Sequence, residues 1–377
     1  MLKKFTVVVL SLCMALGMVA CGKKEEEKGI SLTDKYTETM LITPESVKLE
    51  KGFLDEYPNV NNIVLPKDYD KNLEEITDEI ASFAQNKKVK CIIVCSDKEG
   101  LLPVFEKIRE KNDSLITVAA GIEEMQIKEK QNDVETNSYI SMGFNPTDTD
   151  NNVNAVKMAK AMGTKVFVNY VDSFAKNDIA SRKIIKEIHG ECNRNGLKYV
   201  EVEVPNMKDE NDSKTTQEFI MKDATNKKKA YGEDVSLYGC RESMDKAVIE
   251  AAIKNKLMVP TLHSLNSAEL YCDILGIKVA EDDIADYKKI NSIISKKLKT
   301  LGMDGRLAGT EIPEKAFCVE AAIETTNKIF TKKGDEFNVF KEMPENIKEK
   351  TGILAEYTKV RYDSNFFRVV EMYPTLY

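Results

Sequence analysis

The chain of 377 residues contains no tryptophan and only two histidines. So few imidazoles leave little material for a histidine metal centre or for a nucleophile served by a histidine base. There is no G-x-S-x-G, H-E-x-x-H, Walker loop or G-x-G-x-x-G, so the short signatures of hydrolase, zinc and nucleotide chemistry are missing. C-x-x-C is absent too, which removes the common thiol-redox and zinc patterns. With a formal net charge of −7 and no extended basic tract, the sequence lacks the electrostatic footprint of a nucleic-acid binder. No nucleophile–base pair or metal set can be assembled, so the expectation is a protein that is not an enzyme, with no cofactor and no metal.

What is present suffices for a large core. Hydrophobic residues make up 42% and charged ones 31%, the balance of a globular chain and not of a disordered or multi-span one. The length predicts about two domains. Residues 1–21 are expected to be a lipoprotein signal peptide. Lys3 and Lys4 form its positive start, Phe5–Leu16 its apolar centre, and Met18-Val19-Ala20-Cys21 resembles a bacterial lipobox. Cys21 would then be cleaved at its amino side and lipidated, anchoring the protein on the extracytoplasmic face of the cell membrane. The apolar run is too short to span a bilayer. Residues 22–34, with Lys23, Lys24 and Glu25–Glu27, read as a solvated tether. Of the other cysteines, Cys91 and Cys95 fall on one side of a proposed strand but roughly 13 Å apart, too far for a disulfide. Cys192 keeps register with Ile184 and Ile188. The set reads as reduced packing residues, with the relation of Cys240 to Cys272 left open.

The stretch Val89–Gly100 organises the remainder. It opens with an apolar run, Val-Lys-Cys-Ile-Ile-Val-Cys, and turns polar at once at Ser96-Asp97. A short run with no polar face is what a strand buried on both sides of a parallel sheet needs. Amphipathic segments flank it, at Leu73–Gln85 and Leu101–Lys111. Helix, buried strand, polar turn, helix is the unit of an open α/β sheet, whose ligands bind beyond the carboxyl ends of the strands. The same unit recurs. Strands are predicted at Lys35–Ile42, Val60–Leu65, Leu115–Ala120 and Ser138–Phe144, with a helix at Val47–Tyr57. This makes residues 35–145 a first α/β lobe.

A second lobe is predicted over residues 146–264. It starts with a helix Asp148–Met162 capped by Thr147 and closed at Gly163, then a strand Lys165–Val171. Further helices are expected at Asn177–Asn193, Gln217–Tyr231 and Met244–Lys254, the last capped by Ser243. Strands are expected at Tyr199–Val204, Val235–Gly239 and Met258–Leu262. Residues 265–330, with helices Asp286–Leu301 and Glu314–Ile329, should return and pack on the first lobe. The tail, residues 331–377, is rich in Tyr and Phe and reads as extended.

Two α/β lobes behind a lipid anchor resemble the type I periplasmic binding proteins and the effector domains of sugar-responsive repressors. Leu73–Ser96 looks like the second helix and third strand of that fold. Gly163–Val168 with Ile184–Gly196 and Tyr199–Val204 looks like the opening of its second lobe, and Val235–Ala252 like its last strand and helix. More narrowly, residues 35–330 are similar to a family of bacterial lipoproteins of unknown function, with which Gly305-Arg306 and Gly309-Thr310 agree. The resemblance implies two Rossmann-like lobes with parallel sheets and a cleft between them. The chain departs from the family where Phe-Pro-Arg-His and Asn-Asp would stand, carrying Phe174-Ala175-Lys176-Asn177 and Arg241-Glu242 instead.

The predicted strand ends offer the candidate ligand-binding residues. On the first lobe they are Thr43, Glu45, Ser96, Asp97 and Asn145; on the second, Asp172, Ser173, Phe174, Arg241, Glu242, His263 and Ser264. Carboxylates accept, hydroxyls and amides do both, Arg241 is a fixed cation, and Phe174 with Tyr170 gives a stacking face. His189 falls within a helix and reads as a surface residue. Together these groups suit a small polar ligand engulfed between lobes. The expectation is an extracytoplasmic solute-binding lipoprotein feeding an ABC permease. The alternative is a ligand sensor that presents its closed form to a membrane receptor.

Overall fold

The computed structural model describes residues 30–125, 138–146, 151–205, 210–331, 355–359, 366–371 and 375–377. The expected signal peptide, Cys21, most of the tether and the expected cap Thr147 lie outside these residues. The described chain forms a seven-stranded sheet and a three-stranded one, the latter extended through single bridges to a two-stranded pair.

The first sheet is built from β1 (Thr39–Pro44), β2 (Val60–Leu65), β3 (Cys91–Val94), β4 (Ile116–Ala120) and β5 (Met142–Pro146), all parallel. The second holds β6 (Val166–Val171), β7 (Lys198–Glu203) and β8 (Val235–Gly239), also parallel, in the order β7-β6-β8. Single parallel bridges at Ser236–Met258 and Val259–Leu307 carry that sheet outward to β9 (Ala308–Gly309). Three strands come from the tail: β10 (Ala355–Lys359), β11 (Phe366–Glu371) and β12 (Thr375–Leu376). β11 lies parallel beside β5, β10 lies antiparallel beside β11, and β12 pairs with β9. The tail thus adds to both sheets, and the first runs β10-β11-β5-β4-β3-β1-β2.

Parallel strands without a polar side need both faces covered. On one face Met40, Ile42, Ile92, Val94 and Ala119 pack with Ile76, Ile80, Val104, Phe105 and Ile108 of the helices Leu73–Ser82 and Val104–Lys111. On the other, Leu41, Cys91, Ile93, Cys95, Val118 and Phe144 belong to a core that includes Phe317, Cys318, Ala321 and Ala322 of the helix Glu314–Thr331. Four of the cysteines, Cys91, Cys95, Cys192 and Cys318, are fully enclosed free thiols, and neither Cys240 nor Cys272 is in a disulfide.

Several elements differ from the sequence reading, each for a local reason. Val47–Tyr57 is no helix beyond one 3-10 turn, Phe53–Glu56, because Gly52 sits in the left-handed region at φ 81°. The helix expected at Asn177–Asn193 runs Ile179–Arg194, started by Asp178, whose carboxylate accepts from the Ser181 amide at 2.7 Å, and a short helix absent from that reading, Ser173–Asn177, precedes it. A 3-10 turn at Glu242–Met244 precedes the helix Asp245–Asn255, so Ser243 is not its cap. Past Met258 and Val259 the expected strand stops, since Pro260 has no amide to donate. A helix absent from that reading, Ser267–Leu275, is capped by Asn266 and ended by Gly276 at φ 64°. In the expected return segment the helix Glu314–Thr331 packs on β3, β4 and β5 of the first sheet, and the Tyr287 hydroxyl donates to the Lys48 carbonyl of the first lobe. The helices Ser267–Leu275 and Tyr287–Thr300 pack on each other, and residues 307–309 belong to the second sheet.

The returning helix carries two carboxylates into the core. Glu320 is 2% exposed and accepts the Glu50 amide at 2.7 Å; Glu324 is 3% exposed and accepts from the Tyr57 hydroxyl. Burial pushes the Glu320 carboxyl from an ordinary 4.5 up to about 8, against the pull of the Glu50 amide it accepts from and of the more distant Lys288. The folded state therefore binds more protons than the unfolded state between those values, and stability must fall as pH rises through that window. Glu320→Gln should flatten the decline and raise stability near pH 8 by roughly 1–2 kcal/mol. Urea unfolding from pH 5 to pH 9 measures it, and an unchanged slope would contradict the assignment. The tail is open to a similar test. A Cβ on Gly143 would stand 2.6 Å from the Phe366 ring, so the ring of β11 lies directly on the β5 backbone. Gly143→Val should lower stability by about 1–3 kcal/mol, read as a lower urea midpoint; an unaltered midpoint would show that β11 does not depend on this contact.

Candidate functional site

At the carboxyl ends of parallel strands the side chains leave the sheet together, and both sheets present polar groups there. In the first sheet β3 runs out at Cys95 into Ser96-Asp97. Ser96 is fully buried, and its hydroxyl accepts the Glu123 amide at 2.9 Å, tying the loop after β4 to the end of β3. Asp97 accepts from the Ser46 hydroxyl at 2.5 Å and from the Tyr69 hydroxyl at 2.9 Å. Tyr69 accepts the Lys98 amide at 3.0 Å, and the Lys98 ammonium lies 5.4 Å from the ring centre while pairing with Asp70 at 2.6 Å. Lys315, in the first turn of the returning helix, closes the group. Its ammonium donates to the Ser96 carbonyl at 3.0 Å and to Glu123 at 2.5 Å. Gly121 makes room for it, since a Cβ there would meet Lys315 Cγ at 3.3 Å.

The other first-lobe candidates divide. Thr43 is fully buried and donates to Asn62 Oδ1 at 3.0 Å, so its hydroxyl is spent on the neighbouring strand β2. Glu45 is exposed beyond β1. Asn145, on β5, is buried, and its Oδ1 has no hydrogen-bond partner among the described residues. A buried carbonyl left so is costly unless something else reaches it.

In the second sheet the end of β6 presents a compact group. Asp172 is fully buried; Oδ1 accepts the Ala175 amide at 2.8 Å, capping the helix Ser173–Asn177, and Oδ2 lies 2.6 Å from the Arg241 guanidinium. Arg241 follows β8, where the Cys240 amide donates to the Tyr170 carbonyl at 2.9 Å and fixes its approach. The Arg241 guanidinium lies 5.4 Å from the Phe174 ring centre. That ring is 64% exposed. The buried carboxylate orients the cation and the cation lies against the ring, so three residues from two strand ends form one rigid surface. Arg241 is thus paired across strands with Asp172. Ser173 opens the short helix and is half-buried, and Glu242 is exposed. Tyr170 is enclosed and donates to Asp223 at 3.2 Å, so it gives no stacking face.

His263 and Ser264 are held from behind. Both amides donate to Asp245 Oδ2, at 2.8 and 2.7 Å. The His263 Nε2 donates to the Gly239 carbonyl at 2.7 Å, and its ring lies 5.1 Å from that of Tyr238. His189 stacks on Tyr199 at 4.7 Å, away from these ends. Sequence reasoning missed Tyr69, Glu123 and above all Lys315, which lies 219 residues from Ser96 in the chain. Gly305-Arg306 proves to be a turn: Gly305 has φ 69° and its amide donates to the Tyr377 carbonyl, while Arg306 reaches the Lys256 carbonyl at 3.0 Å. Among the described residues no three or more His, Cys, Asp or Glu side chains could share a metal ion, and no helix is long and apolar enough to cross a membrane.

The chain is similar in structure to a candidate transcriptional regulator from Clostridium difficile 630, with TM-score 0.75 and 24% identity over 91% of this chain and 99% of that one. This likeness establishes the fold of two α/β lobes with parallel sheets. Weaker likenesses extend to a periplasmic ribose ABC transporter protein from Conexibacter woesei (TM-score 0.42, 12% identity, 81% and 90% covered). The same holds for a sugar ABC transport substrate-binding protein from Bordetella parapertussis (TM-score 0.38, 12% identity, 91% and 92% covered). No curated protein matches the sequence. The family model described as "protein of unknown function (DUF3798)" matches residues 35–308, and the chain belongs to that family.

Proposed function

We propose that the protein is a membrane-anchored, extracytoplasmic solute-binding lipoprotein that captures a small polar ligand at the strand ends of its two lobes and delivers it to an ABC importer. It performs no chemistry on that ligand. The anchor is the lipid on Cys21 read from the sequence. The observation that carries the reading is the Asp172–Arg241–Phe174 group, a preoriented cation against an aromatic ring that the fold leaves largely exposed. An exposed ring beside a cation that a buried carboxylate orients suits a ligand with one apolar face and polar edges.

The charges restrict the ligand further. The cations Lys98, Lys315 and Arg241 at the described strand ends are each already countered, by Asp70, Glu123 and Asp172 in turn. An anionic ligand would have to displace a carboxylate, whereas an uncharged one can hydrogen-bond to pairs as they stand. The ligand class is therefore an uncharged, hydroxyl- or amide-bearing small molecule, such as a sugar, polyol or nucleoside.

Thermal shift across such compounds tests this, with organic acids and phosphates as the contrast. A hit should raise the melting temperature at saturating concentration. Phe174→Ala should leave the melting temperature of the free protein unchanged, because the ring is 64% exposed, yet weaken binding about tenfold. Asp172→Asn should weaken binding by roughly 10–100-fold through the loss of Arg241 orientation. Absence of any shift, or a shift untouched by Phe174→Ala, would sink the proposal.

A further inference from the structure

A second feature lies on the helical layer of the second lobe. The helices Asp245–Asn255, Ser267–Leu275 and Tyr287–Thr300 leave between them an open groove of about 290 Å³. Its floor is aliphatic, made of Ile253, Ile274, Leu275 and Leu301, all half-buried. Lys254 and Lys297 rise from its sides, both exposed. Neither has a carboxylate at ion-pair distance among the described residues, although nearby Lys246 and Lys299 are paired with Asp273 and Asp304. The one acid lining the groove, Glu250, receives a hydrogen bond from the Gln217 amide. A chain with net charge −7 therefore carries here a locally positive, apolar trough.

We propose that this groove docks an acidic amphipathic helix of a partner protein. Helix-in-groove recognition uses apolar side chains at i, i+3 and i+4, and the groove has volume for two or three of them. Glutamate or aspartate flanking that stripe would meet Lys254 and Lys297, the two groove cations without an ion pair among the described residues. The trough is concave and holds no aromatic side chain, which fits an inserted helix face better than a bilayer surface, where protruding aromatic residues anchor. It is also open to solvent and not an enclosed cavity of the kind that holds an acyl chain. The proposal does not rest on the solute-binding reading, since no residue is shared with the strand-end group.

The test uses two labelled helical peptides of identical apolar stripe, one flanked by Glu and one by Lys, titrated against the purified protein by fluorescence anisotropy. The Glu peptide is expected to bind with Kd on the order of 10–100 µM and to weaken as salt rises. The double variant Lys254→Glu/Lys297→Glu, at exposed positions that should not alter folding, should weaken it at least about tenfold and admit the Lys peptide. Ile274→Asp should abolish binding, with circular dichroism confirming an intact fold. Three results overturn the proposal: no binding of the Glu peptide, equal binding of both peptides, or indifference to the lysine reversal. Two others also overturn it, by assigning the groove to another occupant: concentration-dependent dimerisation lost in Ile274→Asp, or displacement of the peptide by decanoate.

Discussion

The burial of the parallel strands on both faces is the constraint on which the molecule depends. β1, β3 and β4 have no polar side to offer water, so each face of the first sheet must be covered, and the local βα units cover only one. The other is closed by a helix that arrives after the chain has built most of the second sheet. That long return explains why the two lobes cannot be separate beads. The helix Glu314–Thr331 belongs to the first sheet by packing and follows the second by connection. The tail repeats the pattern, with β11 in one sheet and β12 in the other. Contacts near the return bind the lobes further: Tyr287 donates to the Lys48 carbonyl at 2.9 Å, and the Lys51 amide to the Ala285 carbonyl at 2.8 Å.

The same constraint makes the rims. A strand that is apolar throughout must turn polar at once where it leaves the sheet, so Ser96-Asp97 and Asp172-Ser173 stand at abrupt ends. What they do there differs. Asp97 is fastened by Ser46 and Tyr69, and Ser96 by Glu123 and Lys315, so the end of β3 is a closed polar network, while Asn145 Oδ1 on β5 has no partner among the described residues. Asp172 spends one oxygen on a helix cap and the other on Arg241, which leaves the guanidinium and the Phe174 ring as the outward surface. Rigidity of this kind suits recognition, because the groups are already oriented before a ligand arrives and little ordering is left for binding to supply.

The strands of the two lobes were largely legible in the sequence, Val235–Gly239 as an apolar run bounded by turn residues and Val60–Leu65 as a short segment between Pro58-Asn59 and Pro66, and both match the structure residue for residue. The tail strands β10, β11 and β12 were not, because their places depend on distant pairing with β5 and β9. Asp172, Arg241 and Phe174 were legible as rim residues, because each follows such a run. Their mutual pairing was not. Arg241 beside Glu242 reads equally as a neighbouring ion pair, and only the β6–β8 pairing brings Asp172 to it. Lys315 was hidden too, because its partner at Ser96 is set by the return of a helix and not by any local pattern. Thr43 and His263 show the converse: a polar side chain at a strand end can be spent within the fold, here on Asn62 and on the Gly239 carbonyl. The helix expected at Val47–Tyr57 failed at Gly52, where backbone freedom outweighed a plausible apolar spacing.

Whether the strand ends of the two lobes hold a small uncharged polar molecule can be read in one step by native mass spectrometry. The mildly purified protein would be mixed with a pool of sugars, polyols, nucleosides and organic acids. One retained adduct is expected, an uncharged compound that is lost on Arg241→Ala. A protein mass without adduct across the pool, or retention of an organic acid in its place, would contradict the proposed role.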